Sequence, residues 1–109
     1  MNQYFVYILE CKDNRLYAGY TTDLDRRYQE HCQGQGSKFT RSYPPIKIAA
    51  SWHLENGNVS DALKLELAIK KLSKQQKLKI IQENWNLSQL FDYFNLSINQ
   101  SHNNTKVAP

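Results

Sequence analysis

"FVYILECKDNRLYAGYT", residues 5–21, sets two runs of aromatic and aliphatic residues on either side of Lys12-Asp13-Asn14. Runs of this kind around a short polar break predict a β-hairpin, with strands over residues 4–11 and 15–21. Asn14 tolerates the left-handed conformation that closes a three-residue loop with a bulge. That loop length pairs Cys11 with Arg15, Leu9 with Tyr17 and Tyr7 with Gly19. Because side chains alternate along a strand, Tyr7 and Tyr17 then share one face of the hairpin. A two-residue loop would part them.

Downstream of the hairpin the period changes. Thr22 with Asp25 has the form of a capping box, and Gly34 offers a stop, so a helix is expected between them. Leu24, Tyr28 and Cys32 recur every fourth residue as its buried stripe, with Arg27 and His31 along the border and Arg26 and Glu30 facing water. Residues 34–45 read as a loop closed by Pro44-Pro45. Ile46 to Leu54 reads as a third strand, and residues 55–58 as a turn. A helix follows from Ser60 to Leu72. Another, from Lys74 to Asn84, starts at the capping box Ser73-x-x-Gln76. Leu87, Leu90, Phe91 and Phe94 keep helical spacing for a further short amphipathic helix. From Ser97 onward the chain is polar and without period, as in a disordered tail.

The expected fold is α/β: a small three-stranded, mainly antiparallel sheet flanked by helices in the order β-β-α-β-α-α. It divides into a domain over residues 1–84, a helical extension over 85–96 and a polar tail over 97–109. With 109 residues there is room for one modest core, and 40% apolar and 12% aromatic residues suit a globular chain. No apolar run approaches a membrane span, and residues 1–4 lack the basic and apolar regions of a signal peptide. The expected place is the cytoplasm, with Cys11 and Cys32 as reduced, buried thiols. The net charge of +4 hints at a polyanionic partner. Lys64, Lys70, Lys71, Lys74, Lys77 and Lys79 crowd one segment, which for the lysines alone favours a solvated helix face.

Glu66 is the oddest placement. At about 100° per residue, Ala62, Leu63, Leu65, Leu67, Ala68, Ile69 and Leu72 form one wide apolar arc with Glu66 inside it. An inward carboxylate is costly unless it is paired, coordinated or protonated. A buried salt bridge to Lys70 or Arg27 and a functional carboxylate weigh about equally at this point. Two tyrosines on one strand face, an arginine and a histidine on the next helix, and an isolated glutamate suit phosphodiester chemistry. An arginine fork holds non-bridging oxygens, one carboxylate with several waters suits magnesium, and a phenol near cations shifts toward phenolate. Taken singly, each tyrosine is more often a core residue, Arg27 a surface cation and His31 structural.

The ordered set "FVY" (5–7), "YAG" (17–19), "TTDLDRRYQEH" (21–31) and "ALKLELAIKKLS" (62–73) resembles the GIY-YIG endonuclease superfamily, and within it the small stand-alone bacterial branch. The resemblance runs from about Tyr4 to Leu78. It implies hydrolysis of DNA, branched or repair intermediates among the substrates, with one divalent metal, Mg2+ or Mn2+, leaving 5′-phosphate and 3′-hydroxyl ends. It assigns Tyr17 to activating water, Tyr7 to its support, Gly19 to close approach of the substrate, Arg27 to the scissile phosphate and Glu66 to the metal. His31 fits a phosphate contact or a proton relay. Lys38 and Arg41, with Phe39 and Tyr43, mix cations for phosphates with rings for stacking. The expected partner is nucleic acid, DNA before RNA, and no membrane; a protein partner or homodimer supplying extra substrate affinity stays open. The "GIY" and "YIG" positions have drifted to Phe5-Val6-Tyr7 and Tyr17-Ala18-Gly19. Where some members carry a lysine three residues after the second tyrosine, this chain has Tyr20, so the group that activates Tyr17 is left open. Two other classes compete: a nucleic-acid-binding module without useful turnover, and a structural adaptor using the C-terminal apolar helix.

Overall fold

The structure, a computed structural model, describes residues 3–55 and 57–96, so the expected disordered tail lies outside the described residues. The hairpin forms with the predicted register. Strands β1 (Tyr4–Cys11) and β2 (Arg15–Thr21) pair antiparallel, with Tyr7 opposite Gly19 and Leu9 opposite Tyr17. Asp13 and Asn14 both take left-handed φ, 62° and 58°, in the turn between them, a conformation their short polar side chains accept. Strand β3 (Pro45–Leu54) pairs antiparallel with the other side of β1, giving the order β2-β1-β3. The fold is α/β and its sheet is antiparallel throughout.

Alternation along the strands gives the sheet two different faces. Val6, Ile8, Ala18, Trp52 and Leu54 point into the main core. There they meet Ala62, Leu65 and Ile69 of α3 (Val59–Lys70), Ile80 of α4 (Lys74–Gln82), and Leu90 and Phe91 of α5 (Leu87–Phe94). Each large side chain buried here contributes about 1.5–3 kcal/mol. The C-terminal helix is thus built into the same core as the sheet. Tyr7, Leu9 and Cys11 point the other way, under α1 (Leu24–Cys32) and α2 (Lys38–Ser42), with Leu24, Tyr28, Phe39, Tyr43 and Ile48 around them.

Several local expectations are corrected. The α1 cap is Asp23, whose carboxylate accepts from the Arg26 amide at 3.1 Å, and not Thr22. The hydroxyl of Thr21 at the end of β2 accepts from the Asp23 amide, which holds the chain so that the helix starts at Leu24. Cys32 is exposed, and the fully buried residue on α1 is His31. On the helical wheel Cys32 lies about 80° from Leu24 while His31 lies about 20° away, so the buried stripe passes through the histidine. The loop expected over 34–45 contains α2, capped by Ser37, whose five residues are too few to show a period in the sequence. On α3 the apolar arc is narrower than expected, because Leu63 and Leu67 are exposed. Asp61 and Glu66 are buried in their place. The Ser73–Gln76 capping box forms as predicted, and a second one, Asn86 with Gln89, starts α5. No helix among the described residues is long and apolar enough to cross a membrane.

Candidate active site

The register of the hairpin builds the site's inner wall. Tyr7 lies across β2 at Gly19, where an added Cβ would sit 2.5 Å from the phenolic oxygen, so glycine is what lets the ring lie flat there. Gly19 thus makes room for Tyr7, and it also lines the cleft. The Tyr7 ring is buried and its hydroxyl lies 2.9 Å from Nε2 of His31. Nδ1 of His31 lies 2.8 Å from Oγ1 of Thr40 on α2. The Thr40 hydroxyl donates to the Ser37 carbonyl, which leaves its lone pairs for the Nδ1 hydrogen. That network assigns Nε2 as the acceptor for the Tyr7 hydroxyl.

Burial dominates the electrostatics of this pair. It pushes His31 down to about 4, with the positive charge of Arg27 acting in the same direction. It pushes the Tyr7 phenol up to about 12, against the opposing hydrogen bond and charge of Arg27. Both groups are therefore neutral at physiological pH. His31 is wholly enclosed, so of the two roles expected for it, a phosphate contact or a proton relay, its burial suits the second better. Its position fits a support for Tyr7.

Arg27 forms the second wall. Its Nη1 donates to Oε1 of Glu30 at 2.9 Å and its Nη2 donates to the Gly36 carbonyl, also at 2.9 Å. The hydrogen bond to Glu30 is the main reason its pKa lies above the ordinary arginine value. Glu30 therefore turns inward along the helix to Arg27, instead of facing water. Gly36 serves twice, since its carbonyl anchors Arg27 and a side chain there would collide with the His31 imidazole.

Glu66 closes the site from the opposite face of the sheet. Helix α3 packs on β1 and β2, and Glu66 lies at the margin of its buried arc, where β2 is an edge strand. The carboxylate is mostly buried, and Oε2 pairs with Nζ of Lys70 at 3.2 Å. Of the two salt bridges weighed from the sequence, the one to Lys70 forms. Lys70 also lies 5.8 Å above the Tyr17 ring. That ring stacks on Phe39 and meets His31 edge-on.

The result is one open cleft at the β2 edge, lined by Tyr7, Tyr17, Gly19, Tyr20, Thr21, Arg26, Arg27, Glu30 and Glu66. Five of the residues expected in the site meet there. His31 stands behind the cleft, and Lys38 and Arg41 lie exposed on α2, outside its lining. Glu30 and Arg26 were missed as cleft residues, although the three-residue spacing of Arg27 and Glu30 carries a signal. Thr40 and Gly36 left none, because their partners are distant in sequence. Among the described residues no group of three His, Cys, Asp or Glu side chains is placed to hold a metal ion; the cleft has two carboxylates, Glu66 and the Arg27-bound Glu30.

The family model described as the GIY-YIG catalytic domain matches residues 3–79. A UPF0213 protein of Lactococcus lactis subsp. cremoris is 44% identical over 94 residues, covering 85% of this chain and 94% of that protein. A UPF0213 protein of Halalkalibacterium halodurans is 43% identical over 81 residues, covering 74% and 83%. The solution NMR structure of a UPF0213 protein from Bacillus halodurans aligns with a TM-score of 0.49 at 34% identity, covering 87% of this chain and 99% of that one. With a catalytic-domain match across most of its length and relatives this similar over nearly their whole chains, this protein belongs to the GIY-YIG family, among its small UPF0213 members.

Proposed function

We propose that this protein is a divalent-metal-dependent endonuclease that hydrolyses phosphodiester bonds of DNA and leaves 5′-phosphate and 3′-hydroxyl ends. The observation that carries the reading is the convergence of Tyr7, Tyr17, Arg27 and Glu66 on one cleft from three separate elements. A strand hairpin, a helix and a second helix on the far side of the sheet have no packing reason to aim polar groups at one opening.

Each side chain has work suited to its place. Arg27, fixed through one nitrogen on Glu30 and another on Gly36, presents a cation to the non-bridging oxygens of a phosphate. Tyr17 is the less buried of the two tyrosines and lies against the ammonium of Lys70, so its hydroxyl is the one to orient and deprotonate water. Tyr7 stays protonated and holds the inner wall. The residues fit a divalent ion: of the two carboxylates in the cleft Glu30 is taken up by Arg27, and Glu66 faces the opening with room for the waters that magnesium keeps. Such an ion, bound there, would polarise the phosphate and assist the leaving oxygen. The reading places the enzyme in the cytoplasm with DNA as its partner, branched and repair intermediates included.

The test is cleavage of labelled duplex, branched and single-stranded DNA, with and without Mg2+ or Mn2+, by the wild type and by Glu66→Gln. Metal-dependent cutting that Glu66→Gln loses while keeping its melting temperature is the expected result. DNA binding with no cutting of any substrate would replace it with the binding-module reading.

A further inference from the structure

Both carboxylates of the cleft are paired: Glu30 with Arg27 and, more loosely, Arg26, and Glu66 with Lys70, which stands beside the lining. The second pair is unequal. The Glu66 side chain is 9% exposed and fixed by packing, whereas the Lys70 side chain is 44% exposed on a flexible stem. A carboxylate that deep is strongly destabilising when left alone. The ammonium is its partner at rest.

We propose that Lys70 is a tethered counter-cation that holds the Glu66 carboxylate until metal and nucleic acid arrive together, so that the two bind cooperatively. The proposal rests on the reading of Glu66 as the metal ligand. A divalent ion at Glu66 would lie beside the ammonium now 3.2 Å from Oε2, and like charges at that range repel. Lys70 must then swing away. Its surroundings limit where it goes. Lys77 is close enough that Lys70, together with burial, pulls the Lys77 pKa below its ordinary value, so that direction is already positive. The Tyr17 ring, 5.8 Å from Nζ, lines the cleft, so a path past it leads into the cleft. Across the cleft the Glu30 carboxylate is already held by Arg27 at 2.9 Å, so the displaced ammonium gains an uncommitted anionic partner when a phosphodiester enters.

Metal alone must break the pair and leaves an ammonium without an anion. Metal with DNA breaks the pair and replaces it. Linkage makes the effect reciprocal, and DNA strengthens metal binding by the factor that metal strengthens DNA binding. Lys70 would also stand nearest Tyr17 once the site is loaded, the place left open by Tyr20 on β2.

The test is Mn2+ affinity, read as free Mn2+ by electron paramagnetic resonance, with and without a short DNA duplex. All arms use the Tyr17→Phe background, and duplex integrity is checked on a gel. Lys70→Met removes the ammonium and keeps the stem. It should bind Mn2+ about fivefold or more tightly without DNA, and its gain from DNA should fall from about tenfold to under about threefold, within the usual span of coupling between sites. Lys70→Arg, which restores the charge, should return both values toward those of Lys70. Unchanged or weaker Mn2+ binding in Lys70→Met, or an equal DNA effect in both, overturns the proposal. Glu66→Gln separates the two levels. If it keeps full Mn2+ affinity, the metal-ligand reading falls and this proposal with it; if it loses affinity while Lys70→Met changes nothing, only the counter-cation falls.

Discussion

The hydroxyl of Tyr7 is held by His31, 2.9 Å away and completely buried, so this tyrosine is anchored inside the protein as well as by Arg27 from the cleft. Tyr17 has no such anchor. It is half-buried among Phe39, His31 and the ammonium of Lys70. The two tyrosines share a sheet face and differ in depth, and the depth separates what they do.

Removing each hydroxyl should therefore give different signatures. Tyr17→Phe keeps the ring and its stacking on Phe39, so cleavage should drop by two or more orders of magnitude, on the order of a lost general base, with the melting temperature nearly unchanged. Tyr7→Phe leaves Nε2 of His31 without its partner in a dry site. That should cost about 1–3 kcal/mol of stability, the scale for a buried polar group left unpaired. Rates and urea melts of the two variants decide it. Full activity in Tyr17→Phe would return that tyrosine to a packing role.

The hairpin was legible because its determinants are local. Loop length and alternation fix the register between Tyr7 and Gly19, and no distant element has to be known. The two-faced sheet and the Ser73–Gln76 cap followed in the same way. For His31 the wheel indicates the buried side, within about 20° of Leu24, but not what encloses it. Its burial depends on Thr40 and Gly36, which come from a segment whose glycines read as loop and which folds over the histidine as a five-residue helix. Glu66 was singled out by its polarity in an apolar arc, and its pairing with Lys70 lay within the one-turn spacing. What the wheel missed was the arc's width. Leu63 and Leu67 face outward, so Glu66 sits at a margin that opens on the cleft, not in the middle of the core.

Arg27→Lys should bind DNA within a few-fold of wild type and cleave it far more slowly. Lysine keeps the charge, but cannot span the Glu30 carboxylate and the Gly36 carbonyl with one planar group. The misplaced cation costs most where charge develops on the phosphate. Equal loss in binding and in single-turnover rate would mark Arg27 as an ordinary phosphate anchor.

Glu30→Gln should tighten DNA binding. The carboxylate occupies one edge of the Arg27 fork at 2.9 Å and adds negative charge where a phosphate is to bind. The pair is partly exposed, so the ion-pair energy at stake is about 0.5–1 kcal/mol and the gain about two- to fivefold at low salt. Fluorescence anisotropy against a labelled duplex would read it, and the gain should shrink as salt rises. Weaker binding would show that Glu30 serves chiefly to aim Arg27.

Acid should destabilise the fold through His31 specifically. In the unfolded chain this imidazole takes up a proton as pH falls through about 6.5, its ordinary value; in the native protein burial delays that to about 4. Between those values the unfolded state binds more protons, so stability falls as pH falls across the window and the His31 contribution levels off below about 4. The gap sets an upper bound of roughly 3 kcal/mol. The wild-type profile sums over all titrating groups, so it alone does not isolate the histidine. His31→Gln removes the titration while keeping a polar side chain facing Tyr7 and Thr40. It should be less stable than wild type at pH 7, and the difference should narrow steadily from pH 6.5 to pH 4. Urea unfolding of both proteins at half-unit steps gives that difference directly. Parallel curves across the window would mean that His31 is not held neutral in the native site, and the assignment of Nε2 as the acceptor for Tyr7 would go with it.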